Sequence, residues 1–96
     1  MSNARNSRHR NDMQVLQPHA AGIDVSADFH AVAVPPDSDG HVEVRFFGSC
    51  TPDLHAMATW LRQHEVTTVA MESTGVYWIA LYDLLEKENL EALLLQ

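Results

Sequence analysis

The chain has 96 residues, a formal net charge of -7 and one cysteine, Cys50. That length holds one small domain, no apolar run approaches the roughly 18–20 residues that span a bilayer, and a lone cysteine excludes an internal disulfide. An acidic balance also excludes the basic face with which a stand-alone nucleic-acid-binding domain grips phosphate.

The basic residues are uneven in placement: Arg5, Arg8 and Arg10 stand at the start, and only Arg45, Arg62 and Lys87 follow. Residues 1–18, rich in Asn, Ser, Arg and His, read as a flexible arm, either an unstructured leader or a basic segment that folds onto nucleic acid. The polar N-terminus MSNARNSRHRND carries no secretory signal. Together with the single thiol this fits a cytoplasmic protein. The ordered part is expected over 19–96.

AAGIDVS is apolar up to Asp24 and reads as a buried strand. FHAVAVP alternates and is β-branched, a second strand ending at Pro35. PPDSDG is turn chemistry. HVEVRFFG then alternates as a third strand, with Val42, Val44 and Phe46 on one face and His41, Glu43 and Arg45 on the other. Thr51 suits a helix N-cap, Pro52 the first helical position and Asp53 the positive end of the dipole. Leu54, Met57, Ala58 and Leu61 follow at helical spacing, so residues 52–64 form an amphipathic helix with Trp60 beside its stripe.

VTTVAME is a short buried strand, broken by STG. A second helix is expected from 76 to 87, with Val76, Tyr77, Ala80, Leu81 and Leu84 inward and Asn89 as its stop. LEALLL reads as a fifth strand, although six such residues also suit a helix. The order is βββαβαβ: an antiparallel meander feeding right-handed parallel crossovers, hence an α/β mixed sheet with helices on its faces. No helix is left to cover the last strand, which points to a fragment or to a fold that a partner completes.

Asp24 sits in an apolar strand, where an ionised carboxylate is costly unless paired, hydrogen-bonded or bound to a cation. Glu72 ends the fourth strand, and in α/β sheets functional groups gather at carboxyl ends of strands. Taken singly, Asp24 also reads as a turn cap and Glu72 as an acid at a helix N-terminus. Together they carry more. If the first strand lies beside the fourth, the two acids face each other and repel unless a proton or divalent cation lies between them. Mg²⁺ or Mn²⁺ suits all-oxygen ligands, and two such ions about 3.5–4 Å apart serve phosphodiester chemistry.

Ser73 and Thr74 read either as helix caps or as phosphate contacts at a helix start. Tyr77 reads as core packing or as a base-stacking group, and Trp78 is open between these. Asp28 reads as a turn residue. The six histidines show no zinc-type spacing and are expected on surfaces and turns. Cys50 has no evident partner.

GIDVS, an aromatic-His strand, W-L ahead of the fourth strand, MESTGVYW and then LYDLLE resemble the insertion-sequence-110 family of DEDD transposases, the group that includes Piv-type DNA invertases. MESTGVYW at this separation from GIDVS is the specific part, and the resemblance covers residues 19 to 96. It implies the N-terminal half of a ribonuclease H-like, RuvC-like domain from a bacterial protein. In that family an Asp-Glu-Asp-Asp set holds Mg²⁺ for DNA strand cleavage and joining; Asp24 matches the first acid and Glu72 the second. The two later aspartates and the C-terminal domain with its nucleophilic serine lie beyond Gln96. The resemblance also implies DNA as partner, a guide non-coding RNA, a homo-oligomer and no membrane, with the 96-residue piece inactive alone.

Two other readings stay beside it. Sugar kinases and actin-like ATPases also open on an Asp-bearing strand and hairpin, but hold phosphate with Gly and Ser or Thr just after that Asp. Here Val25, Ser26, Ala27 and Asp28 follow, with no glycine. The second is a non-catalytic interaction module that pairs through an exposed sheet edge.

Overall fold

The computed structural model describes residues 19–95, so the expected N-terminal arm lies outside the described residues. The elements run β1 (Ala20–Val25), β2 (Phe29–Ala33), β3 (Val44–Gly48), α1 (Thr51–Gln63), β4 (Thr68–Ser73), α2 (Trp78–Lys87) and β5 (Glu91–Leu95). They form one five-stranded sheet in the order β3-β2-β1-β4-β5. The β1–β2 and β2–β3 pairs are antiparallel, and β1–β4 and β4–β5 are parallel. This is the expected βββαβαβ order and α/β mixed sheet.

Alternation along the strands divides the sheet into two unlike faces. Ala21, Ile23, Val25, Val32, Val69, Met71 and Ala92 are buried in one cluster with Leu54, Met57, Leu61, Leu81 and Leu85 of the helices. The other face carries Gly22, Asp24, Ala31, Ala33, Val44, Phe46, Ala70, Glu72, Leu93 and Leu95, none of them buried. Helices were expected on both faces; both lie on one. The two crossovers, β3 to β4 and β4 to β5, run the same way across the sheet, so a right-handed path puts both helices on the same side.

Four other expectations are corrected. The first helix is capped at Cys50, with Thr51 already helical and no side-chain cap bond; the Cys50 thiol instead donates to Asp53 Oδ2 at 2.9 Å. The third strand starts at Val44, not His41, because Asp37 Oδ1 accepts the Asp39 and His41 amides, each at 2.9 Å, and holds the preceding residues in a turn. The second helix starts at Trp78, since the turn after β4 runs on through Tyr77. Its inner face is therefore Leu81 and Leu85, while Val76, Tyr77 and Ala80 are exposed. His30 is not a surface residue but 1% exposed on the helix side of β2.

Arg45 also lies on the helix side, its guanidinium 4.6 Å from the Trp60 ring centroid. Phe47 meets the same indole at 5.6 Å. The arginine covers the tryptophan by a cation–π contact while keeping its charge at the rim.

Both helices end in the same way. Glu65 and Asn89 take positive φ (59° and 64°). After them Val66 N–H bonds Leu61 O and Leu90 N–H bonds Leu85 O. This is the Schellman arrangement, which satisfies late helix carbonyls and turns an apolar residue into the core. Asparagine tolerates the left-handed region; glutamate pays for it. Glu65→Gly is expected to raise stability by about 1 kcal/mol, read as a higher urea midpoint with unchanged slope.

Buried His30 has a pKa lowered from 6.5 by desolvation. Its Nδ1 accepts the Ser26 amide at 3.3 Å, which requires that nitrogen to be unprotonated. The unfolded chain thus binds the proton more readily, and the stability this provides is full above pH 6.5 and lost as pH falls through the folded pKa. The urea midpoint should drop between pH 7.5 and 5.5, and His30→Asn, which keeps an acceptor, should flatten that contribution.

Candidate metal centre

β1 and β4 are parallel neighbours in the register Ile23↔Met71, Asp24↔Glu72, Val25↔Ser73. Ile23 and Met71 are buried beneath the sheet, so strand alternation turns the next residue of each, Asp24 and Glu72, out together on the open face. Both are next to last in strands that point the same way. Their backbones stand one strand spacing apart, about 4.8 Å. Among the described residues, no ion pair engages either acid.

The row continues on both sides: Asp24 pairs with Ala31, Ala31 with Phe46, and Glu72 with Leu95. Small residues make the floor around the acids and larger ones the rims. The resulting shallow hollow of about 350 Å³ is lined by Gly22, Asp24, Ala31, Ala70, Glu72 and Leu95, among others. Two adjacent carboxylates on an accessible floor form an oxygen-donor set suited to Mg²⁺, which commonly takes one or two protein carboxylates and completes its shell with water and substrate phosphate oxygens.

Residues 21–96 match the profile of a family described as transposase, of the DEDD insertion-sequence-110 type. The chain belongs to that transposase family. A search of curated proteins gave no match. Among solved structures this chain is similar to the Holliday junction resolvase of fowlpox virus, with a TM-score of 0.47 and 10% identity, over 79% of this chain. It spans 59% of that resolvase's length.

Thr74 and Tyr77 lie in the turn after β4, at the same end of the sheet as the two acids. Neither the helix-cap reading of Ser73 and Thr74 nor the core reading of Tyr77 describes them. Ser73 Oγ lies 3.4 Å from both the amide and the carbonyl of Gly75, α2 begins four residues after Thr74 without a side-chain cap, and Tyr77 is 53% exposed.

Sequence reasoning did not single out Asp37, Asp39 and His41, whose potential ligand atoms lie within 4.8 Å of one another. They occupy the β2–β3 turn, at the opposite end of β1 from Asp24, and Asp37 is already engaged in holding that turn. This cluster is separate from the β1–β4 pair. Among the described residues, no helix is long and apolar enough to cross a membrane.

Proposed function

We propose that Asp24 and Glu72 are the first two carboxylates of the Mg²⁺-dependent (or Mn²⁺-dependent) centre with which a transposase cleaves and joins DNA strands. The observation that carries this is their shared row: a parallel β1–β4 pairing that sets the two acids side by side on an accessible face. Divalent metal held there supplies charge to activate a water or hydroxyl and to stabilise the departing oxygen of a phosphodiester. Asp24 and Glu72 hold and orient that charge. β1 and β4 fix their spacing by ladder hydrogen bonds, and the core beneath Ile23 and Met71 makes the platform rigid. Thr74 and Tyr77, at the same end, are placed to meet the DNA strand, Thr74 at a phosphate and Tyr77 at a base.

The charge of -7 supports a division of labour. Phosphate contacts come mostly from elsewhere, with a guide RNA supplying recognition in the manner the family resemblance implies. With two carboxylates of a four-acid set, the chain alone should bind metal weakly and cleave nothing.

Mn²⁺ added in small steps to isotopically labelled protein should broaden the amide signals of Ala31, Ala70 and their neighbours first. Broadening confined to residues 37–41 would overturn the assignment. Incubated with a branched DNA substrate and Mg²⁺, the chain should leave it intact; turnover abolished by Asp24→Asn would show that two acids suffice and contradict the half-site reading.

A further inference from the structure

The two edges of the sheet differ. β3 carries a charged edge, with Arg45 Nη2 3.1 Å from Glu43 Oε2 beside it. From Ala92 to Leu95, β5 has no charge and no proline, the features with which sheet edges usually discourage pairing. Among the described residues, no strand flanks its outer side.

The backbone of β5 also has a definite polarity. Glu91 N–H donates inward to Thr67 O at 2.9 Å. Backbone groups alternate in direction along a strand, so Leu93 and Leu95 also face β4, and Ala92 and Leu94 present their N–H and C=O groups outward. Ala92 N–H confirms this: it is met by the Glu86 side chain at 3.3 Å rather than by β4.

We propose that β5 is a self-pairing edge through which two copies of this chain join antiparallel, with Leu93 on the two-fold axis. The outward groups are self-complementary in that register. Ala92 of each copy exchanges two hydrogen bonds with Leu94 of the other, four bonds in all, and the two Leu93 side chains meet in the closely spaced non-hydrogen-bonded pair. Glu91 falls opposite Leu95, so no like charges are apposed within the strand pair. The one obstacle is the exposed Glu86 carboxylate, which gives up its long bond to Ala92 N–H.

The result is a continuous ten-stranded sheet with helices on one side and both Asp24–Glu72 pairs on the other. Three strand spacings and four residues of offset place the two Glu72 backbones ~20 Å apart. The pairing does not depend on the metal reading of those acids.

A single edge pairing buries little area, so the association should be weak and concentration-dependent. Sedimentation velocity on the full chain, from roughly 10 to 500 µM, is expected to show monomers passing to dimers. Leu93→Lys, at a position 44% exposed, should abolish the dimer through apposed like charges with unchanged circular dichroism. Glu86→Ala should move the transition to lower concentration. In a Cys50→Ser background, Leu93→Cys should form an intermolecular disulfide under mild oxidation, and Leu95→Cys, about 14 Å from its mate in this register, should not.

A chain that stays monomeric throughout and gives no Leu93→Cys cross-link overturns the proposal. So does a dimer that Leu93→Lys leaves intact, which would place the contact on another surface such as the open face around Phe46. Cross-linking equal at 93 and 95 refutes the register.

Discussion

Met71→Ala should remove more than a third of the stability of this fold. Met71 is fully buried in β4, directly before Glu72, and shares the core with Leu81 and Leu85 of α2. Truncating a buried methionine costs about 2–5 kcal/mol, through lost transfer energy and the cavity left behind. A domain of this size holds only around 4–12 kcal/mol in total. β4 is also the hub of the sheet's parallel half, paired with β1 on one side and β5 on the other. Its loosening would disturb the Asp24–Glu72 register as well as weaken the core. Urea unfolding should show a midpoint lowered by more than a third. Met71→Leu, which conserves volume, should cost under about 1.5 kcal/mol and serve as the control.

Asp24→Asn and Glu72→Gln should act in opposite directions with and without metal. Without it, each removes one of two apposed like charges on neighbouring strands, so the variants should melt at or slightly above the parent. With millimolar Mn²⁺ the parent should gain stability by mass action, and the variants should gain little. The order of melting temperatures therefore reverses on adding metal. A structural salt-bridging role for these acids predicts the contrary, a loss of stability in both conditions.

Much of this was legible in the sequence because the decisive signals are local. The apolar run GIDV and the run VTTVAM, each closed by a polar break, define β1 and β4, and the capping and spacing around Pro52 define α1. Once β1 is set beside β4, strand alternation brings Asp24 and Glu72 onto one face with no further assumption. The features that escape the sequence depend on three-dimensional neighbours. Alternation places Val44 and Phe46 on one face, but periodicity does not say which face the helices cover; that follows from the common direction of the two crossovers. The STG break looks like a complete turn and so suggests an inward Tyr77, whereas the chain continues two residues further before the helix begins at Trp78. The burial of His30 is easily missed, because an imidazole carries no apolar signal of its own. Its signal was its phase with Val32 and Val34, two apolar residues on the same side of β2.

The exposed apolar rims of the open face, Phe46 above all at 68% exposure, could not be foreseen from composition, since the same residues would look identical in a covered sheet. Their exposure follows from the helices' shared side. It leaves the carboxylates accessible, as the proposed metal chemistry requires.

Calorimetric titration of the chain with Mn²⁺, beside Asp24→Asn, Glu72→Gln and Asp37→Asn, tests the assignment most directly. The parent and Asp37→Asn should bind alike and weakly. Asp24→Asn and Glu72→Gln should each lose at least the roughly ten- to hundredfold in affinity that disturbing even an outer-shell partner costs. Equal binding by the parent and both β1–β4 variants would contradict the account.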